Sequence, residues 1–188
     1  MANWAITDYV IEGPHEILEK INEAIRNPDI EAGSSEGWEG NILNTLGIDW
    51  DKKLYMRGFI TEEPSLGDNT LEFYAEEAWG ATDFHEALEK AFPDIKVYYR
   101  VEEEDGEVFA TNDKEGKYFP EKYYVDICIN KDYDSEYFKD EDTMCNWLSR
   151  KTDGKVNSIE EASDYNTMHE EQGTDEDNYI TIHKFDIV

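Results

Sequence analysis

The sequence predicts an α+β fold, and three observations carry that prediction. Leu71, Phe73 and Ala75 alternate with Glu72, Tyr74 and Glu76, the period of a strand with one buried face. From Asp83 to Phe92 the spacing turns helical, with Phe84, Leu88, Ala91 and Phe92 on one side. Ile95, Val97, Tyr99 and Val101 then return to alternation, and Tyr123, Val125, Ile127 and Ile129 repeat it.

In chain order, Trp4 to Ile11 reads as the first strand. Gly13-Pro14 opens a helix, because proline at a first helical position forfeits only an unpaired donor, and Ile17, Leu18, Ile21 and Ile25 share its apolar face up to Pro28. Residues 31–53 read as an insertion, in which Trp38, Ile42, Leu43 and Leu46 mark a short helix closed by Gly47. Leu54 to Thr61 is a second strand, Leu71 to Ala78 a third and Ile95 to Glu102 a fourth. The helix from Asp83 starts like a capping box with Glu86. This order is β-α-β-β-α-β, the ferredoxin-like plan. An Asp105-Gly106 hairpin, Val108 to Thr111 and Lys122 to Asn130 extend the sheet as an added antiparallel meander. Residues 1–130 are therefore expected as the core. Residues 131–188 form an acidic helical extension: a broken acidic stretch, a helix around Met144, Trp147 and Leu148, and a helix capped by Ser158 and Glu161. A strand from Tyr179 to Val188 closes it, packed on the core.

Composition limits function. The chain has 188 residues, with 46 acids against 17 bases and a net charge of −29, far beyond the roughly 2–8 that solubility asks of a small domain. Such a field repels DNA, RNA and anionic membranes, so a basic partner is the natural counterpart. Disorder is the alternative for so acidic a chain, but 12 Tyr, 8 Phe and 5 Trp supply core material. Cys128 and Cys145 make neither a disulfide framework nor a zinc set and point to a reducing cytoplasm. Neither a signal peptide nor a membrane span is legible.

No catalytic motif stands out. His15, His85, His169 and His183 fall in no ligand spacing, and phosphate loops and nucleophile elbows are absent. An enzyme with a dispersed site would need a pocket of perturbed carboxylates near His85 or His183. Asp132 to Glu136 starts like a calcium loop, but Tyr137 stands where glycine is needed and Thr143 where the closing glutamate belongs. No metal or cofactor is expected. Tyr74 and Tyr98 could stack RNA bases on a sheet face, but Glu72 and Glu76 flank Tyr74.

The segment from about Leu54 to Cys128 resembles the ferredoxin-like YubB-type family of plasmids and phages. The resemblance rests on Leu71-Glu72-Phe73 leading to Ala78-Trp79, a helix ending at Phe92-Pro93, the strand Ile95 to Val101, and Gly106-Glu107-Val108-Phe109. Gly80-Ala81-Thr82 stands where that family has prolines. The resemblance implies a mobile-element origin and the fold, and no catalytic residues.

Charge is the remaining signal. Between Glu102 and Asp142 there are 15 acids and 5 Lys or Arg. Carboxylates on one strand face recur every ~6.6–6.8 Å and can imitate phosphates ~3.4 Å apart along a DNA strand. The expectation is a non-enzymatic DNA mimic that blocks the basic channel of a host CRISPR nuclease or restriction enzyme, an anti-CRISPR or anti-restriction role in evading host defence. The residues expected to meet that partner are Glu102, Glu103, Glu104, Asp105, Glu107, Asp132, Asp134, Glu136, Asp140, Glu141 and Asp142, with Tyr133, Tyr137 and Phe138 as anchors. The competing expectation is an accessory module that binds another protein through a sheet edge or the Trp38 insertion.

Overall fold

The structure, a computed structural model, describes residues 3–31, 33–50, 53–103 and 108–188. The fold is α+β, as expected. It comprises two compact units, Met1–Phe119 with Ile187–Val188, and Pro120–Asp186.

In the first unit the central strand is β1 (Trp4–Glu12), paired antiparallel along its length with β4 (Thr70–Ala78) and β5 (Lys96–Glu103). Outside β4 lies β2 (Gly58–Ile60), and β3 (Ser65–Leu66) also pairs with β4. Outside β5 lie β6 (Phe109–Thr111) and the chain's last strand, β10 (Asp186–Ile187). Helices α1 (His15–Arg26), α2 (Glu39–Thr45) and α3 (Phe84–Ala91) cover one face. The register sets Tyr9 opposite Phe73 on one side and Tyr99 on the other. The Tyr9 and Phe73 rings stack at 5.0 Å, and Phe84 of α3 meets Phe73 edge-on at 6.3 Å. Leu18, Ile21, Ala24 and Ile25 of α1 complete this core at helical spacing.

Two local expectations change. The strand expected over 54–61 is only three residues long, because Tyr55 N–H donates to Asp83 Oδ2 at 2.6 Å rather than to a neighbouring strand. That same bond occupies the Asp83 carboxylate, so the expected capping box at α3 does not form.

The expected extension of the first sheet holds for β6, which pairs with β5, and stops there; the second unit runs from Pro120. β7 (Tyr123–Ile129) does not extend the first sheet. It is the central strand of a separate sheet, between β8 (Asp132–Phe138) and β9 (Asn178–Lys184). Tyr123, Val125 and Ile127 pack against Met144, Trp147 and Leu148 of α4 (Glu141–Lys151), and against Ala162 and Tyr165 of α5 (Ile159–Gln172). Asn130 (φ 53°) and Lys131 (φ 71°) form the two-residue turn between β7 and β8. The stretch expected as a broken acidic loop is therefore an edge strand. At α5 the expected cap is realised: Ser158 Oγ accepts from Glu161 N–H at 3.1 Å, and Gly173 ends the helix at φ 66°. The expected closing strand splits into β9, in this sheet, and β10, beside β6. Cys128 is buried and Cys145 half-buried, both free thiols. Among the described residues no helix is long and apolar enough to cross a membrane.

Candidate functional site

The expected partner-binding residues divide between the units. Glu102 is half-buried on β5, with Oε1 3.1 Å from Arg100 Nε; Arg100 also donates to Asp8 Oδ2 at 2.6 Å. Glu103 is 2 % exposed, since it continues the inward phase of Tyr99 and Val101, and it therefore cannot present its charge at the surface. Glu104, Asp105 and Glu107 lie outside the described residues.

In the second unit Asp132, Asp134 and Glu136 recur along β8, all exposed, and Asp134 pairs with Lys151. Tyr133 is exposed, whereas Tyr137 packs on Tyr124 at 4.8 Å between ring centroids. Phe138 is not a surface anchor: it is core, 5.4 Å from the Trp147 ring. Asp140 caps α4, its Oδ1 accepting from Thr143 N–H at 2.8 Å, and this bond holds the carboxyl below its ordinary range. Glu141 and Asp142 follow, exposed, in the first turn. Because 132–138 is paired strand and α4 begins at Glu141, no calcium loop exists there. Among the described residues no three His, Cys, Asp or Glu are gathered for a metal. Of this unit's eighteen Asp and Glu, Glu121, Asp126 and Asp177 are half-buried and the other fifteen are exposed, beside seven Lys and Arg.

The outer edge of β8 carries a further detail. The N–H of Ser135 donates to Asp134 Oδ1 at 3.0 Å, and the N–H of Tyr137 donates to Glu136 Oε1 at 3.1 Å. These donors face away from β7, so carboxylates occupy positions where another strand would otherwise attach. In the Trp38 insertion the indole is half-buried and engaged within the unit. Trp38 Nε1 donates to Met56 O at 2.8 Å, and its ring packs edge-on against Trp50.

A buried polar cluster that periodicity did not single out joins β1, β4 and α2. Glu77 continues the inward phase of Leu71, Phe73 and Ala75, and Glu39 stands in the first turn of α2; both are 0 % exposed. Glu77 Oε1 accepts from Tyr9 OH at 2.9 Å and from Thr82 N at 3.0 Å. Thr82 Oγ1 lies 2.8 Å from Glu77 Oε1 and 2.8 Å from Glu39 Oε2. One hydroxyl hydrogen serves one acceptor, so both contacts are hydrogen bonds only when one of the two carboxyls carries a proton to donate. Burial first, and the charge of Glu77 second, raise the Glu39 pKa well above the ordinary carboxyl range. Glu39 is thus the member of the pair that favours the proton, beside the Glu77 oxygen on which Tyr9 OH and Thr82 N–H converge. Gly58 is required beside them, since a Cβ there would stand 2.3 Å from Glu39 Oε1. Thr82 O lies 2.8 Å from His85 Nδ1, and the His85 ring packs on Tyr99 at 4.8 Å. Neither glutamate lines the cleft of about 770 Å³ bounded by Leu46, Trp50, Leu54, Ala87 and Phe92. The pair is buried and joins α2 to β4 through Thr82.

The face of the first sheet opposite the helices is covered over only part of its width. Asp113, 2 % exposed, receives the N–H groups of Tyr118 (2.7 Å) and Phe119 (3.0 Å) on Oδ2. Burial works to raise its pKa, but the N–H groups of Phe119, Tyr118, Lys117 and Gly116 outweigh it and hold the carboxyl below its usual range. Lys117, Tyr118 and Phe119 are thereby laid over β1 and β5. Beyond them Trp4, Ile6 and Tyr74 stand 41 %, 49 % and 49 % exposed, and Glu72 and Glu76 flank Tyr74. A comparison of the chain with protein-family models, with curated proteins and with solved structures finds no match.

Proposed function

We propose that this chain is a non-enzymatic acidic inhibitor carried by a phage or related mobile element. It presents carboxylates in place of phosphates to the basic channel of a host CRISPR nuclease or restriction enzyme. The observation that carries this reading is the charge of the second unit: fifteen exposed carboxylates on a scaffold of three strands and two helices. Asp132, Asp134 and Glu136 repeat at about 6.8 Å along one side of β8, twice the ~3.4 Å phosphate rise of a DNA strand. Asp140, Glu141 and Asp142 carry the negative charge on into α4. Fixing such charge on a folded frame steers a basic partner and raises its association rate. For the first unit we read the antiparallel order β5-β1-β4-β2, with α1 and α3 as connections, as a ferredoxin-like core; this agrees with the likeness to the YubB-type family.

The test is capture of a nucleic-acid enzyme from a host lysate at low salt, followed by a salt gradient and by DNA competitor. The expected result is release by DNA and steep weakening between about 50 and about 200 mM salt. Capture that is indifferent to both overturns the mimic.

A further inference from the structure

We propose that the exposed half of the first unit's open sheet face is a docking surface for a cationic, aromatic-bearing protein segment. This rests on the reading above, since it names where a basic partner is held. The occupant's chemistry is set by what covers the other half of the same face. There the chain's own Lys117-Tyr118-Phe119 lies down. Lys117 Nζ meets Glu12 Oε2 at 2.6 Å, the Tyr118 ring sits 5.0 Å from Tyr98, and Phe119 is buried with the Arg100 guanidinium 5.5 Å from its ring. An ammonium on a carboxylate followed by rings on sheet side chains is how this face is closed where it is closed.

Past Val10 the same materials stand open. Asp8, already paired with Arg100, faces Tyr74, Ile6 faces Glu76, and Glu76 faces Phe59 of β2, so apolar and acidic side chains alternate across three strands. Trp4 extends this surface, its ring 5.9 Å from that of Phe59. Shallow depressions of about 290 Å³ and about 420 Å³ are both lined by Tyr74, the second also by Ile6, Glu62 and Glu76. Large apolar side chains exposed together mark interaction surfaces more often than chance. Glu72 and Glu76 make the patch selective. Both are exposed, and neither is in an ion pair among the described residues. They repel nucleic acid and acidic peptides, and a lysine or arginine between ring-bearing neighbours satisfies both. Aromatic anchors in such a patch supply most of the affinity, and the flanking charges supply the choice of partner.

The experiment is NMR titration of the full chain with a synthetic peptide of Lys-Tyr-Phe repeats, with oligolysine of equal length as the control. The expected result is perturbation of the Trp4 indole and Ile6 methyl signals, with oligolysine at least about tenfold weaker at those signals. Tyr74→Lys, a change at an exposed position, places a cation between the two glutamates and is expected to weaken the peptide about tenfold or more. Glu72→Gln with Glu76→Gln is expected to weaken it several-fold at low salt and to flatten its salt dependence. Signals that move only on α4, α5 and β8, or equal binding by the Tyr74→Lys protein, overturn the docking surface while leaving the mimic standing. Persistence of these shifts when lysate capture proves indifferent to salt and DNA overturns the mimic and leaves the docking surface standing.

Discussion

Replacing Glu39 by glutamine isolates the buried proton from the rest of this heavily charged molecule. The side chain keeps its volume and a donor for Thr82 Oγ1, but it no longer titrates. In the native chain Glu39 holds its proton to a higher pH when folded than when unfolded. Its folded pKa is raised, so its contribution is complete below the unfolded carboxyl value of about 4.3 and is lost as pH climbs through the folded value. Within that window the folded state carries one proton more than the unfolded, and stability falls by about 1.4 kcal/mol per pH unit. The Glu39→Gln protein lacks this slope. Self-repulsion among the remaining acids bears on both proteins alike, so the difference between them is the informative quantity. Urea unfolding at successive pH values from about 5 to about 8, followed through NMR cross-peaks of the first unit, reads that difference. Glutamine is expected to gain on the native chain as pH rises. Glu77→Gln should cost more than Glu39→Gln at every pH in that range, because Glu77 Oε1 gathers Tyr9 OH, Thr82 N–H and Thr82 Oγ1, whereas Glu39 meets Thr82 Oγ1 through Oε2, and an amide offers those donors a single acceptor atom. Parallel pH profiles for Glu39→Gln and the native chain would refute the assignment of the proton, and equal losses from the two variants would refute the asymmetry.

Two further outcomes follow from close contacts. Gly58→Ala drives a methyl group to 2.3 Å from Glu39 Oε1, where the carboxyl is held by Thr82 and cannot swing away; the expected loss is about 1–3 kcal/mol in urea unfolding. Asp113→Ala removes the acceptor for the Tyr118 and Phe119 N–H groups, and hydrogen exchange at those two amides should quicken at least about tenfold while β1 amides keep their protection.

The sequence made the first sheet legible because β1, β4 and β5 alternate over eight or nine residues, and a one-residue slip would turn Tyr9, Phe73 and Tyr99 out of the core. The α5 termini were legible for a local reason, since Ser158, Glu161 and Gly173 act within a turn of themselves. Sheet membership was not. Val125 and Ile127 demand burial, but alternation does not say against which helices, and the partners in α4 and α5 lie far along the chain. The edge strand β8 was hidden because its acids mask its period and only Phe138 is buried. The Glu39–Glu77 pair was missed for a related reason. A glutamate in a first helical turn reads as a favourable dipole contact, and its partner is 38 residues away. The visible clue was Glu77 at an inward register position, directly in phase with Leu71, Phe73 and Ala75.

The carboxylates that sit on the Ser135 and Tyr137 N–H groups have a consequence for handling the protein in acid. Near its isoelectric point of about 4.2 the molecule loses mutual repulsion, but the hydrogen bond from Lys151 holds the Asp134 carboxyl below its ordinary range, so the bond to Ser135 N–H persists. A donor still occupied on this seven-residue strand resists lateral growth from one molecule to the next, so acidified samples should cloud with amorphous precipitate rather than ordered, thioflavin-positive fibrils.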